Sequence, residues 1–285
     1  MSSPAVARYL HRLGLGSDPA PGVETLVALH RAHVTRVPYE NLDIMLGRPA
    51  SVVPADSLER VAATGRAGYC FHQNGALEVV LRDLGYAVER RHGHVWTRPE
   101  HREQTDLNHL VLVVTGLPTG TNPGGRWWPD VGLGEGFLDP VPLVAGAVSD
   151  GPFSFGVSDV TEAGWSFAND PHGAFAGLEV RPLPVDHEVV VAAHAVLSTP
   201  PTGVFAKFLV VQRRSVGGLT TLRGCVVTEV DATGSRSADL TTYDDWRSAL
   251  ETLGVTTADV DPAELRALHE RMRAAHQVWD EAGRP

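Results

Sequence analysis

The sequence predicts an α+β protein laid out in three stretches: helices, then short strands, then strands closed by helices. Three observations predict it. Through the first third, Leu26, Val27 and Leu29 with His30 and His33 recur at i, i+3, i+4 spacing. After Gly85 the texture changes to Val- and Leu-rich runs with partial alternation, separated by Gly and Pro clusters at 116–125 and 150–152. From Gly203 further strand-like runs lead into two helix-periodic segments, the second opening at Pro262, a residue suited to a first helical turn.

Taken in order, residues 3–13 read as an amphipathic helix with Val6, Tyr9, Leu10 and Leu13 on one side. Val23 to Val34 is a second helix, Pro38 to Asp43 an irregular segment, and Ser57 to Ala63 a short helix. Cys70 opens another, with Ala76, Leu77, Val79, Val80, Leu81 and Leu84 at helical spacing and Gly85 as its stop. Ala87–Val95, His109–Val114, Arg126–Val131, Pro142–Val148 and Gly173–Val180 read as strands of an antiparallel sandwich or barrel. Asp186–Leu197 fits either a strand or a helix. Phe205–Arg213, Leu219–Leu222, Cys225–Val230 and Ser235–Leu240 read as strands, and Asp244–Leu253 and Pro262–Ala282 as helices.

A chain of 285 residues can hold two or three packed units. Its formal net charge of −10 argues against a nucleic-acid or anionic-membrane partner. Two cysteines, Cys70 and Cys225, cannot staple a protein of this size, so a reducing, cytoplasmic setting is expected. Residues 1–14 carry Arg8, His11 and Arg12 without an apolar h-region, and no apolar run approaches a membrane span. Neither a signal peptide nor a transmembrane segment is expected.

The chemistry-bearing residues each admit a plain reading and a functional one. Cys70, in the first turn of a buried helix, is a small hydrophobe or a nucleophile favoured as thiolate by the helix dipole. His109 opens the most apolar strand, as a satisfied core histidine or as a base. Asp130 follows two tryptophans and precedes Val131-Gly132-Leu133-Gly134. It is a turn carboxylate or a half-buried one that must be hydrogen-bonded. Glu40 is a solvated surface residue or, if buried, needs a cation, for which Arg66 is the candidate. His92 and His94 share one strand face, but no third ligand follows at a metal-site spacing, so no metal is expected.

Five segments, in order, resemble the arylamine N-acetyltransferase family: Pro38-Tyr39-Glu40-Asn41-Leu42, Arg66-Ala67-Gly68-Tyr69-Cys70-Phe71, Asn108-His109-Leu110, Asp130-Val131-Gly132-Leu133-Gly134, and Ser198-Thr199-Pro200-Pro201 with Phe205. The resemblance runs from the N-terminal helices to about Leu253. It implies a helical bundle (1–86) carrying the nucleophile, a β-barrel (87–183), an interdomain helix (184–202) and an α/β lid (203–285). It implies a cysteine-protease-like triad of Cys70, His109 and Asp130, and a structural ion pair of Glu40 with Arg66. The implied reaction is ping-pong acetyl transfer from acetyl-coenzyme A, as co-substrate, to an arylamine, arylhydroxylamine or arylhydrazine. Tyr39, Phe71, Leu133 and Phe205 are then expected to wall the acceptor pocket. The coenzyme is expected near Asn108, Gly132 and Gly134, with its phosphates on the glycine N–H groups and near Lys207 or Arg214.

Three residues depart from the family pattern. Ala67 replaces a glycine, His72 replaces an acidic residue two after the cysteine, and Leu133 replaces an aromatic. His72 becomes a rival imidazole, although a side chain at i+2 points away from residue i on a helix. The departures leave three alternatives: an amide synthase or acyltransferase for another acyl thioester, a thiol hydrolase, and a non-catalytic binding protein with a decayed site.

Overall fold

The computed structural model describes residues 2–284. The N-terminal helices are α1 (Pro4–Arg12) and α2 (Val23–Arg36). A two-residue strand, β1 (Tyr39–Glu40), and a short helix, α3 (Leu42–Met45), follow. Next come α4 (Pro54–Thr64) and α5 (Cys70–Asp83). α1 begins at Ser3, whose hydroxyl accepts from the Val6 N–H, and α4 ends at Gly65 in the left-handed conformation. Leu10, Leu26, Leu29, Val61, Leu77 and Leu81 form the core of this bundle.

The middle of the chain is one antiparallel sheet: β2 (Ala87–Trp96), β3 (His109–Thr115), β4 (Trp127–Trp128), β5 (Val141–Pro142), β6 (Gly146–Asp150), β7 (Phe153–Ser158), β8 (Trp165–Ala168) and β9 (Gly177–Arg181). Its order is β5-β4-β3-β2-β9-β8-β7-β6. Only residues 143–145 separate the two edge strands along the chain, so the sheet curls into a nearly closed barrel. Alternation along β3 explains why the whole strand is apolar. Val111 and Val113 face the barrel interior with Trp128, Phe137, Phe155 and Phe167, whereas Leu112 and Val114 pack into the helical core.

α6 (His187–Ser198) opens at Asp186, whose carboxylate accepts from the Val189 N–H, which resolves the ambiguous stretch as a helix. After it come β10 (Val210–Ser215), β11 (Gly218–Arg223), β12 (Val226–Asp231), β13 (Gly234–Asp239), α7 (Tyr243–Thr252) and α8 (Pro262–Glu281). The second sheet runs β1-β10-β11-β12-β13. Leu209, Val211, Leu222, Trp246, Leu250 and Leu268 make its core. Among the described residues, no helix is long and apolar enough to cross a membrane.

Several expectations are corrected. Pro38–Asp43 is not irregular: Tyr39 and Glu40 pair with Gln212 and Val211, a partner that no local signal announces. Arg126–Val131 holds only the two-residue β4, because Pro129 interrupts the ladder and Asp130 turns inward. Pro142–Val148 divides into β5 and the start of β6. Phe205–Arg213 begins with a helical turn at 204–206 before β10. The expected set also lacks β7 and β8, although Phe153, Phe155 and Val157 alternate inward as a half-buried strand should.

Candidate active site

Cys70 is the first residue of α5, and its N-cap, Tyr69, provides no side-chain cap. The N–H groups of Cys70 and Phe71 therefore have no acceptor one turn back within the helix and stand at its positive end. The thiol is 2% exposed, and its Sγ lies 3.5 Å from the Asn108 carbonyl oxygen.

His109 begins β3 and shares the strand face of Val111 and Val113. Its Nε2 is 2.8 Å from Asp130 Oδ2, and the Cys70 side chain stands close enough to the ring to favour its charged form. Burial favours the neutral ring. The Asp130 charge and hydrogen bond, joined by Cys70, outweigh it and push His109 up to about 10. The three side chains thus stand in the order thiol, imidazole, carboxylate.

Four donors converge on Asp130. Oδ1 accepts from Asn74 Nδ2 at 2.8 Å and the Gly132 N–H at 3.0 Å. Oδ2 accepts from Trp128 Nε1 at 2.9 Å as well as from His109. The Asp130 N–H donates to His30 Nε2 at 3.1 Å, and His30 Nδ1 lies 2.9 Å from the Leu138 carbonyl. That pattern requires a neutral His30, consistent with a pKa lowered by burial. Gly132 must be glycine: a Cβ there would lie 2.8 Å from Cys70 Cα and 2.9 Å from Asn74 Nδ2.

Behind the thiol, Arg66 Nε contacts Glu40 Oε1 at 3.3 Å, and both side chains are 1% exposed. Arg66 Nη2 reaches Asp43 at 3.1 Å, and Glu40 Oε2 accepts the Leu42 N–H at 2.6 Å. Burial disfavours the guanidinium charge, but Glu40 and Asp43 more than offset it and raise its pKa. His72 faces elsewhere. Its Nε2 is 3.2 Å from the Ala50 carbonyl, its ring packs edge-on against Tyr69 and His194, and burial holds it near 4.

Of the expected acceptor wall, Tyr39, Phe71 and Phe205 gather with Cys70 in one apolar cluster. Leu133 does not join it. Its side chain packs in the barrel core with Val111, Trp128 and Phe137. Tyr69 occupies the centre of the cluster instead, 4.4 Å from Phe205 and 5.3 Å from Phe71, with its hydroxyl 2.8 Å from His194 Nδ1 on α6.

The groups expected near the coenzyme are largely engaged within the protein. The Gly132 N–H is taken by Asp130. Gly134, at φ +71°, lies against Gln212 and Tyr39. The Asn108 side chain clamps the Val95 backbone, accepting its N–H at 2.7 Å and donating to its carbonyl at 2.9 Å. Arg214 is buried and bonded to Asp150 at 2.8 Å and the Gly218 carbonyl at 2.9 Å. Lys207 alone is exposed on the surface. Among the described residues, no group of three or more His, Cys, Asp and Glu is placed to hold a metal ion, and His94 is engaged by the Asp106 and His101 carbonyls.

Comparison with known proteins sets this geometry in context. The sequence profile of a family described as N-acetyltransferase matches residues 22–256. An arylamine N-acetyltransferase of Mycolicibacterium smegmatis is 39% identical over 143 residues, 49% of this chain and 50% of that protein. Proansamycin X synthase of Amycolatopsis mediterranei is 32% identical over 144 residues, 48% of this chain and 52% of that protein. The chain thus spans about half the length of the curated relatives it matches. The solved structure of Mycobacterium marinum arylamine N-acetyltransferase in complex with CoA superposes with a TM-score of 0.81 at 25% identity, covering 94% of this chain and 98% of that one.

Proposed function

Because the chain belongs to the arylamine N-acetyltransferase family, we propose that it carries an acetyl group from acetyl-coenzyme A, through a Cys70 thioester, to an arylamine, arylhydroxylamine or arylhydrazine. The convergence of Cys70, at the start of α5, with the hydrogen-bonded pair His109–Asp130 carries this reading.

The cycle has two halves. In the first, the Cys70 thiolate attacks the thioester carbonyl carbon, with His109 held as imidazolium by Asp130. The oxygen that gains charge faces the N–H groups of Cys70 and Phe71 at the helix start. The carbon–sulfur bond to the coenzyme then breaks, and His109 supplies the departing sulfur with its proton. In the second half the amine nitrogen attacks acetyl-Cys70, His109 takes a proton from that nitrogen, and Cys70 leaves as thiolate. Tyr39, Tyr69, Phe71 and Phe205 supply aromatic faces against which a flat acceptor ring stacks.

The test is direct. Incubated with acetyl-coenzyme A, the protein should gain one acetyl mass on Cys70, and an arylamine should remove it. A Cys70→Ser protein that acetylates arylamines at the parent rate refutes the proposal. One observation favours a second reading, transfer of a larger acyl group: residue 133 puts no aromatic ring in the site, and one relative is named Proansamycin X synthase. Rates with acetyl-, propionyl- and malonyl-coenzyme A against a carrier-bound acyl thioester separate the two.

A further inference from the structure

We infer that Asn74 is a positioning residue that sets the distance from the nucleophile to both of its partners; the inference rests on the acyl-transfer reading above. The three reacting side chains sit on three separate segments: Cys70 on α5, His109 at the start of β3, and Asp130 in the turn after β4. β3 meets β4 only at Val114 and Trp127, and no backbone ladder ties α5 to either. Asn74 lies one helical turn beyond Cys70, on the same face of α5. It is 0% exposed. Its amide reaches both other segments. Nδ2 donates to the Leu110 carbonyl at 2.7 Å, next to His109, and to Asp130 Oδ1 at 2.8 Å. Oδ1 accepts the Val131 N–H at 3.0 Å, next to Asp130.

Those contacts admit one amide orientation. Turned over, Oδ1 would face two acceptors and Nδ2 would face a donor. They also demand this residue type. Alanine leaves the Leu110 carbonyl and the Val131 N–H unpaired in the interior, and frees Asp130 to rotate off His109 Nε2. Aspartate keeps the volume and the Val131 contact but sets an acceptor against the Leu110 carbonyl and a second carboxylate against Asp130. Trp128 and Gly132 also bind Asp130, but both belong to its own segment, so neither ties it to the nucleophile's helix.

The experiment compares the full-length parent with Asn74→Ala and Asn74→Asp, and with Leu250→Ala, a cavity in the distant C-terminal core, as a control for lost stability. Acetyl-Cys70 formation is timed by intact mass, and Cys70 alkylation by iodoacetamide is followed against pH. Asn74→Ala should acylate about 100-fold more slowly, the scale of an ångström misplacement, with the KM for acetyl-coenzyme A nearly unchanged. Its alkylation profile should move to higher pH by about one unit, because the imidazolium is held less well. Asn74→Asp, which creates no cavity, should lose at least as much rate, and Leu250→Ala should keep the parent profile. Parent-like acylation in either Asn74 variant overturns the inference, as does a loss that Leu250→Ala matches without any shift of profile. A parent Cys70 no more reactive than a free thiol instead overturns the acyl-transfer reading, and this inference falls with it.

Discussion

Gly132→Ala tests the geometry of the site with a single methyl group. The new Cβ would sit 2.8 Å from Cys70 Cα, 3.1 Å from Cys70 Cβ and 2.9 Å from Asn74 Nδ2. Carbon atoms in good contact stand about 3.5–4.0 Å apart, so the turn after β4 must retreat from α5 by about 0.7–1.2 Å. Rotation cannot relieve the clash, because one obstructing atom belongs to the helix backbone. Asp130 is two residues away and bonded to the Gly132 N–H, so it retreats as well and draws His109 from Cys70. A displacement of that size costs on the order of 100-fold in rate. Forcing a methyl into a packed contact costs about 1–3 kcal/mol of stability. The assay is the time course of acetyl addition by intact mass, beside urea unfolding. Gly120→Ala is the control, since nothing lies within 4 Å of its Cβ position. A Gly132→Ala protein that acylates within threefold of the parent and unfolds at the same urea concentration refutes the reasoning.

Two further outcomes follow from buried charge. Arg66→Met leaves Glu40 ionised and without its buried partner, and unfolding in urea should show a loss of about 3–5 kcal/mol; a loss under about 1 kcal/mol would mean the pair is dispensable. The second concerns acid. His33 and His72 are each held near 4 by burial, below their unfolded value of 6.5, so their stabilising effect is complete above pH 6.5 and is lost as pH falls toward 4. From pH 6.5 to 5 each contributes about 2 kcal/mol of loss, at 1.36 kcal/mol per unit. His109 has the opposite sign: with its folded value raised to about 10, its contribution is present below 6.5 and disappears as pH rises through 10. Urea midpoints at pH 7 and pH 5 check the acid limb, and equal midpoints would contradict it.

What could be read from the residues themselves divides along a physical line. Local periodicity marked α5, β2, β3 and the closing helices, because each depends on neighbours three or four residues away, or two. The placement of Cys70 at a helix start was legible for the same reason. Glu40 could be matched with Arg66 because a carboxylate, if buried, demands a cation, and the family resemblance implies that pair. Pairings across the chain were not legible. Arg214 looked available for a phosphate, yet Asp150 on β6 claims it. Asn108 was expected near the coenzyme, yet its side chain is bonded to the Val95 backbone. The Gly132 N–H turned toward its own Asp130 rather than outward. Asn74 left one readable trace, a polar amide one helical turn after Cys70, but its partners lie 36 and 56 residues away.

β1 carries a consequence for the order in which this molecule can become reactive. Tyr39 and Glu40 complete their ladder only with Gln212 and Val211, and the Glu40 N–H also holds the Gly68 carbonyl two residues before Cys70. The loop that presents the sulfur is therefore braced by a segment made some 140 residues later in synthesis, a separation that also slows folding. A nascent chain halted before β10 should hold an unbraced thiol with ordinary reactivity. If Cys70 is the nucleophile proposed above, its competence is a late, whole-molecule event rather than a property of the N-terminal helices.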